Sequence, residues 1–223
     1  MLFDKRSDPE AYTIVDPTSP ASEPFRSLRL AIDLRPEVRT GKALVFTSPE
    51  PHDGKSTIAA NFALVAGVSL PRVLLVDCDL RQPTQHQIFR TPRAPGVVDV
   101  LSGSIDVARA AVRIGSSTSR VDMIPAGSAL PHAGDIASSK AMGDFLLEAQ
   151  NAYDLVVVDA PPILLASDAA GISAHEGVDT ILVVRRTGRR RPLMQAVRKL
   201  ALTDTNVLGL VVNRSGRLSA YAY

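Results

Sequence analysis

Six short apolar runs punctuate the chain: Ala43–Thr47, Val73–Val76, Val121–Ile124, Leu155–Val158, Thr180–Val184 and Val207–Val212. Apart from Asp122 within Val121–Ile124, no charged residue interrupts them, which is how strands buried on both faces read. Helical stretches are predicted between them: Ser56–Val68, segments around Val98–Leu101 and Ile105–Val112, Ser138–Gln150, Ser167–Ala174 and Arg191–Leu202. An earlier helix starts at Ser22, an N-cap residue type, and runs to Leu34. It sets Phe25, Leu28 and Ile32 on one side and Glu23, Arg26 and Arg29 on another, and Pro36 stops it. Residues 1–21 are polar, carry Pro9, Pro17 and Pro20, and read as an extended arm. Strand–helix alternation predicts an α/β fold: a mostly parallel central sheet with helices on both faces. Ligands on such sheets bind at the carboxyl ends of the strands, so the loops after the strands are where chemistry is sought.

Composition fits this picture. Of 223 residues, 45% are hydrophobic and 22% charged, as in an ordinary globular core large enough for one domain. The longest uncharged stretch, Ser56–Pro71, contains Ser, Thr, Asn and Gly and is not a membrane span. The N-terminus lacks the apolar core of a signal peptide. A single cysteine, Cys78, excludes an internal disulfide framework and a CxxC metal site, and it points to a cytoplasmic protein. With no Trp and 4% aromatics, the chain lacks a stacking platform for single-stranded nucleic acid. The net charge of +2 hides an asymmetry. Up to Val184 there are 16 basic and 22 acidic residues; beyond it there are nine basic residues and only Asp204. The cluster Arg185, Arg186, Arg189, Arg190 and Arg191 follows a predicted strand. Nucleotide phosphates, acidic lipid, an acidic subunit face and plain solvation all suit it.

The loop after the first strand reads Thr47-Ser48-Pro49-Glu50-Pro51-His52-Asp53-Gly54-Lys55-Ser56-Thr57. Gly-Lys-Ser-Thr between a strand and a helix is the core of a phosphate-binding loop. Gly54 lets backbone N–H groups turn inward, Lys55 carries charge to the β and γ phosphates, and Ser56 offers a hydroxyl to Mg²⁺. The helix N-terminus adds partial positive charge. The ordinary loop has Gly six positions before the Lys, where this chain has Pro49. The second strand ends in Asp77-Cys78-Asp79, two carboxylates on one face of an extended chain. They suit a magnesium water shell or the proton of an attacking hydroxyl. A later strand ends in Asp159, the usual position of a second metal-binding carboxylate in nucleotide hydrolases. The fold class is thus a three-layer P-loop NTPase.

Taken in order, these motifs resemble the bacterial tyrosine kinases (BY-kinases) of capsule and exopolysaccharide biosynthesis. Four elements carry the resemblance: Glu23-x-x-Arg26-x-x-Arg29; Ser48-x-x-Pro51-x-x-Gly54-Lys55-Ser56-Thr57; Val76-Asp77-Cys78-Asp79-Leu80-Arg81-Gln82-Pro83; and Val158-Asp159-Ala160-Pro161-Pro162 with Asp168. A tail, Ser219-Ala220-Tyr221-Ala222-Tyr223, completes the pattern. The resemblance implies an ATP- and Mg²⁺-dependent protein-tyrosine autokinase that regulates polysaccharide synthesis and export. Its nucleotide would lie along Pro51, His52, Asp53, Gly54, Lys55, Ser56 and Thr57. Ser56, Asp77 and Asp159 would place the metal, and Asp79 would take the tyrosine proton. Tyr221 and Tyr223 would be the phosphoacceptors, presented to a neighbouring subunit. Glu23, Arg26 and Arg29 would serve a homo-oligomer, with a ring suited to the tail's reach, or else form an ordinary exposed face. Asn213 lies where related ATPases read the adenine edge; a turn-forming residue is the other reading. The implied organisation is an arm at 1–21, a kinase domain at 22–214 and a flexible tail at 215–223. A membrane-anchored activator with a cytoplasmic tail, separate or fused, would recruit it to the inner face of the cell membrane. No nucleic-acid partner is expected.

This chain departs from the family by carrying His52 where Gly is usual, a side chain with room to crowd the loop or resist a positive φ. His52 and the short tyrosine tail together make an ATP-binding regulator without transferase activity an alternative. A Min- or Par-like partition ATPase is another, but it carries a second lysine where this chain has Glu50. An iron–sulfur carrier needs paired cysteines; Cys78 is expected simply to pack between the two Asp side chains. Tyr12 and Tyr153 are further tyrosines of interest, the latter expected to be packed before its strand.

Overall fold

A computed structural model describes residues 14–35, 43–128, 136–203 and 205–214. Seven strands form one sheet: β1 (Ala43–Thr47), β2 (Val73–Asp77), β3 (Val112–Ser116), β4 (Ser119–Ile124), β5 (Leu155–Asp159), β6 (Val178–Arg185) and β7 (Asn206–Asn213). Their order across the sheet is β3-β4-β2-β5-β1-β6-β7. All neighbours are parallel except β3 and β4. The helices are α1 (Glu23–Asp33), α2 (Lys55–Ala66), α3 (Gln85–Phe89), α4 (Val97–Leu101), α5 (Val107–Ala110), α6 (Lys140–Ala152), α7 (Asp168–Ser173) and α8 (Arg190–Ala201). No described helix is long and apolar enough to cross a membrane.

The sheet divides two cores. On one face lie Val45, Leu74, Val76, Val156 and Val158 with side chains of α4 to α8. On the other lie Leu44, Phe46, Leu75 and Val157 with α2, and α1 packs outside it. This explains why α2 has no polar stripe: every residue of it but Thr57 is buried. One surface meets the sheet, while Phe25, Leu28 and Ile32 of α1 and Ile14 of the arm cover the other. The Val15 N–H donates to Asn61 Oδ1 of α2 at 2.8 Å.

Four expectations need correction. Residues Ile105–Val112 are not one helix: α5 is a single turn, and Val112 begins β3, which folds back on β4 in register Ser116↔Ser119. As an edge strand β3 buries Ile114 alone, so it has no apolar run to betray it. Secondly, β7 is not buried on both faces. It is the opposite edge, and Val207, Leu210 and Val212 are exposed. Thirdly, Ser22 does not cap α1 with its side chain; its buried hydroxyl donates to Pro17 O (2.9 Å) and Ser19 O (2.6 Å) instead. Fourthly, α3 follows the Asp77 loop where no helix is predicted.

Parallel register puts the ends of β1, β2, β5, β6 and β7 on one edge. Phe46 and Asp77 both pair with Asp159, and Arg185 pairs with Asn213. Every residue of the predicted nucleotide site lies along that edge.

Candidate active site

Alternation along the strands dictates where the aspartates point. Leu75 and Val157 face the α2 core, so Asp77 and Asp159, two residues on, face the same way. They meet the first turn of α2. The Lys55 ammonium lies 2.8 Å from Asp79 Oδ2, 3.2 Å from Asp159 Oδ1 and 3.0 Å from Ser56 Oγ. All four residues are buried.

Burial works against the Lys55 charge, but Asp159 and Asp79 outweigh it and raise its pKa. Asp77 is pushed well above the usual carboxylate range, by burial first and then by the charge of Asp159 beside it. Asp159 is raised by burial, with Lys55 pulling the other way. Cys78, between the two loop aspartates, has its thiol pushed well up by burial and by their charges, which leaves it an inert packing residue. One ammonium among three buried carboxylates leaves a deficit of positive charge, which a hard divalent cation would fill.

Asp77 is already committed to the backbone. Its Oδ2 accepts from Thr84 N (3.0 Å) and Gln85 N (2.9 Å), and its Oδ1 accepts from Asp79 N (3.2 Å). Asp79 Oδ1 accepts from Gln82 N at 3.0 Å. These bonds fold the 77–85 loop and start α3. They also deliver Gln85, a residue with no motif to announce it. Its Nε2 donates to Asp159 Oδ2 (2.7 Å) and to Ser56 O (3.1 Å), while its Oε1 is buried without a partner. An orphaned buried acceptor costs about 1–3 kcal/mol, so this one marks a place for a donor such as a metal-bound water. Among the described residues no three acidic, His or Cys side chains converge as a metal cage, because Lys55 occupies the space between Asp79 and Asp159. Mg²⁺ does not need a cage: it takes one or two carboxylates, substrate phosphates and water. The oxygens of Ser56 and Asp159 fit it.

The loop itself adopts a conformation suited to anions. Gly54 has φ +97°, and a Cβ there would lie 2.0 Å from Asn213 Nδ2, so any other residue would strain the backbone and displace the Asn213 amide. His52 has φ +63°, and its side chain is exposed. The loop thus tolerates histidine in place of glycine without being filled by it. Arg185, at the end of β6, donates to His52 O and stands 4.0 Å from Asp53 Oδ1. Burial raises the Asp53 pKa. Arg185 and the exposed Arg186, Arg189 and Arg190 line a cleft of about 270 Å³ with Glu50 and Asp53, directly beside the loop. Asn213 donates from Nδ2 to Asp53 O (2.9 Å) and accepts at Oδ1 from Arg214 N (2.8 Å). Both ends of the amide expected to read adenine are therefore engaged within the chain.

Other predicted residues lie elsewhere. Arg81 grips the buried Asp168 with two bonds of 2.9 and 3.2 Å, tying the 77–85 loop to α7. On α1, Arg26 pairs with Glu23 (3.0 Å) and donates to Pro17 O and Ser19 O. Arg29 donates to Ala66 O and Ser69 Oγ at the end of α2. Glu23, Arg26 and Arg29 thus lie on α1 away from the loop, with the Glu23 side chain exposed. Tyr221, Tyr223 and Tyr12 lie outside the described residues.

No family model matches the chain. Its sequence is 31% identical over 212 residues to the tyrosine-protein kinase YwqD of Bacillus subtilis, covering 94% of this chain and 89% of that protein. This chain belongs to the bacterial tyrosine kinases. A second member, the tyrosine-protein kinase wzc of Salmonella typhimurium, is 34% identical over 170 residues. That match takes in 76% of this chain but only 23% of the longer wzc protein. The solved kinase domain of the Escherichia coli tyrosine kinase ETK superposes with a TM-score of 0.82 at 25% identity, over 99% of this chain and 86% of that domain.

Proposed function

We propose that the chain is an ATP-dependent protein-tyrosine kinase that phosphorylates Tyr221 and Tyr223 of a neighbouring copy. The observation that carries this reading is the Lys55 ammonium held between Asp79 and Asp159 at the head of the phosphate loop. Mg²⁺, when bound, would neutralise and align the β and γ phosphates. The chain's residues do the rest. Lys55 leaves its carboxylate partners for the phosphates and stabilises the charge spread over the transferred group. Ser56 and Asp159 would hold the metal, with Asp77 nearby in its place against the backbone. Freed of Lys55, Asp79 accepts the phenolic proton as the tyrosine oxygen bonds to the γ-phosphorus and the bond to ADP breaks. The loop 51–57 cradles the phosphates through its N–H groups.

The eight residues after Ser215 extend to about 26 Å, which suits an adjacent subunit. Each phosphate on the tail adds nearly two negative charges and would loosen the assembly. A membrane-anchored activator belongs to the same proposal, as does control of polysaccharide export. The partition-ATPase reading is disfavoured by Glu50. The regulator reading loses its support at His52, which leaves the loop open.

The test is incubation of the purified chain with γ-labelled ATP and Mg²⁺. Label is expected on tyrosine, abolished by Lys55→Met and by the Tyr221→Phe/Tyr223→Phe pair. Tight ATP binding without phosphotyrosine, with or without an activator tail, would support the regulator instead.

A further inference from the structure

Two of the residues at the β6–β7 edge do something other than meet a ligand. Arg185 donates to His52 O, and Asn213 donates to Asp53 O at 2.9 Å. These two carbonyls are consecutive. The donors come from the paired ends of β6 and β7. Arg214 N donates to Asn213 Oδ1 and so holds its amide nitrogen toward the loop. In a trans peptide the C=O and the following N–H point in opposite directions. Drawing the His52 and Asp53 carbonyls toward the β6–β7 edge therefore turns the N–H groups of Asp53 and Gly54 the other way. The loop needs such help, because His52 is held at φ +63°, a region that non-glycine residues seldom occupy. Arg185 is also the one half-buried member of the arginine cluster, whose other members are exposed.

We propose that Arg185 and Asn213 are positioning residues that preset the N–H groups of Asp53 and Gly54 for phosphate oxygens, and that Asn213 does not read the base. The proposal rests on the nucleotide-binding reading above. It assigns part of the phosphate affinity of this loop, with histidine in place of glycine, to two strand ends that act through the loop's backbone.

Calorimetry with pyrophosphate, Mg·ADP and Mg·GDP tests it on wild type, Arg185→Gln, Arg185→Lys and Asn213→Asp. The aspartate variant is isosteric and removes the donor. Arg185→Gln and Asn213→Asp are each expected to weaken pyrophosphate and ADP by about tenfold or more, with the ADP-to-GDP ratio unchanged. Arg185→Lys, which keeps a charged donor, should recover part of the loss. Ligand-free melting temperatures should stay close to wild type. A collapsed ADP-to-GDP ratio in Asn213→Asp with intact pyrophosphate binding would make Asn213 a base reader and overturn the proposal. Unchanged pyrophosphate affinity in both variants overturns it too, whatever happens to melting. If wild type binds neither ADP nor pyrophosphate, the nucleotide reading fails and the clamp fails with it.

Discussion

Lys55 acts as its own counter-ion store. Held at 2.8 Å from Asp79 and 3.2 Å from Asp159, it quiets two carboxylates that would otherwise repel each other inside the protein. In the proposed reaction it exchanges these contacts for phosphates. Gln85 decides how Asp159 faces this exchange, because its amide holds Oδ2 at 2.7 Å and leaves Oδ1 for the cation. Gln85→Leu is therefore expected to weaken Mg²⁺ affinity, measured in the presence of ADP, by about 10- to 100-fold, as when the groups orienting a metal ligand are lost. An unchanged Mg²⁺ titration would contradict this. Lys55, Ser56, Asp79 and Asp159 were legible in the sequence because each follows a strand or opens a helix within a fixed motif. Gln85 was not, since its role comes from a loop folded around the Asp77 carboxylate, which no spacing records. The position of Asn213 at a strand end was legible, but its hydrogen bonds to the loop were not.

Strands with both faces covered announce themselves, and β1, β2, β5 and β6 could be read from their apolar runs because solvent constrains none of their side chains. Edge strands carry mixed patterns, so β3 was hidden and the exposure of β7 missed. Beside β3, a chain of contacts holds the far end of the sheet. The Tyr153 hydroxyl donates to Asp122 Oδ2 (3.2 Å) on β4, and Asp122 Oδ1 pairs with Arg113 of β3 (2.9 Å). Tyr153, expected to be packed, is indeed buried. Burial, then the Asp122 charge, raises its pKa from 10.0 to about 12. The folded chain therefore keeps this proton after the unfolded chain has lost it. That contribution is complete below about pH 10 and falls as pH rises toward 12. The wild-type stability advantage over Tyr153→Phe should shrink by about 2–3 kcal/mol across that window. Urea melts at pH 9 and pH 12 check it, and a pH-independent difference would contradict it.

At the scale of the whole molecule, charge follows architecture. The net +2 conceals a basic C-terminal part that begins at Arg185, at the same strand edge as the phosphate loop. A near-neutral protein thus presents a local cationic rim where a polyanionic nucleotide would enter. β7 ends beside that rim, with Asn213 bonded to the loop at Asp53 O. The proposed acceptors Tyr221 and Tyr223 follow Arg214 by seven and nine residues, and a neighbouring copy's site is the one they are proposed to enter. A mixing experiment tests that claim most directly. A Lys55→Met chain with an intact tail is combined with a Tyr221→Phe/Tyr223→Phe chain whose site is intact, and Mg·ATP is added. Phosphotyrosine is predicted on the Lys55→Met chain, at Tyr221 and Tyr223. If that chain stays unmodified while wild type alone becomes labelled, transfer between copies is contradicted; if neither is labelled, the kinase assignment itself falls.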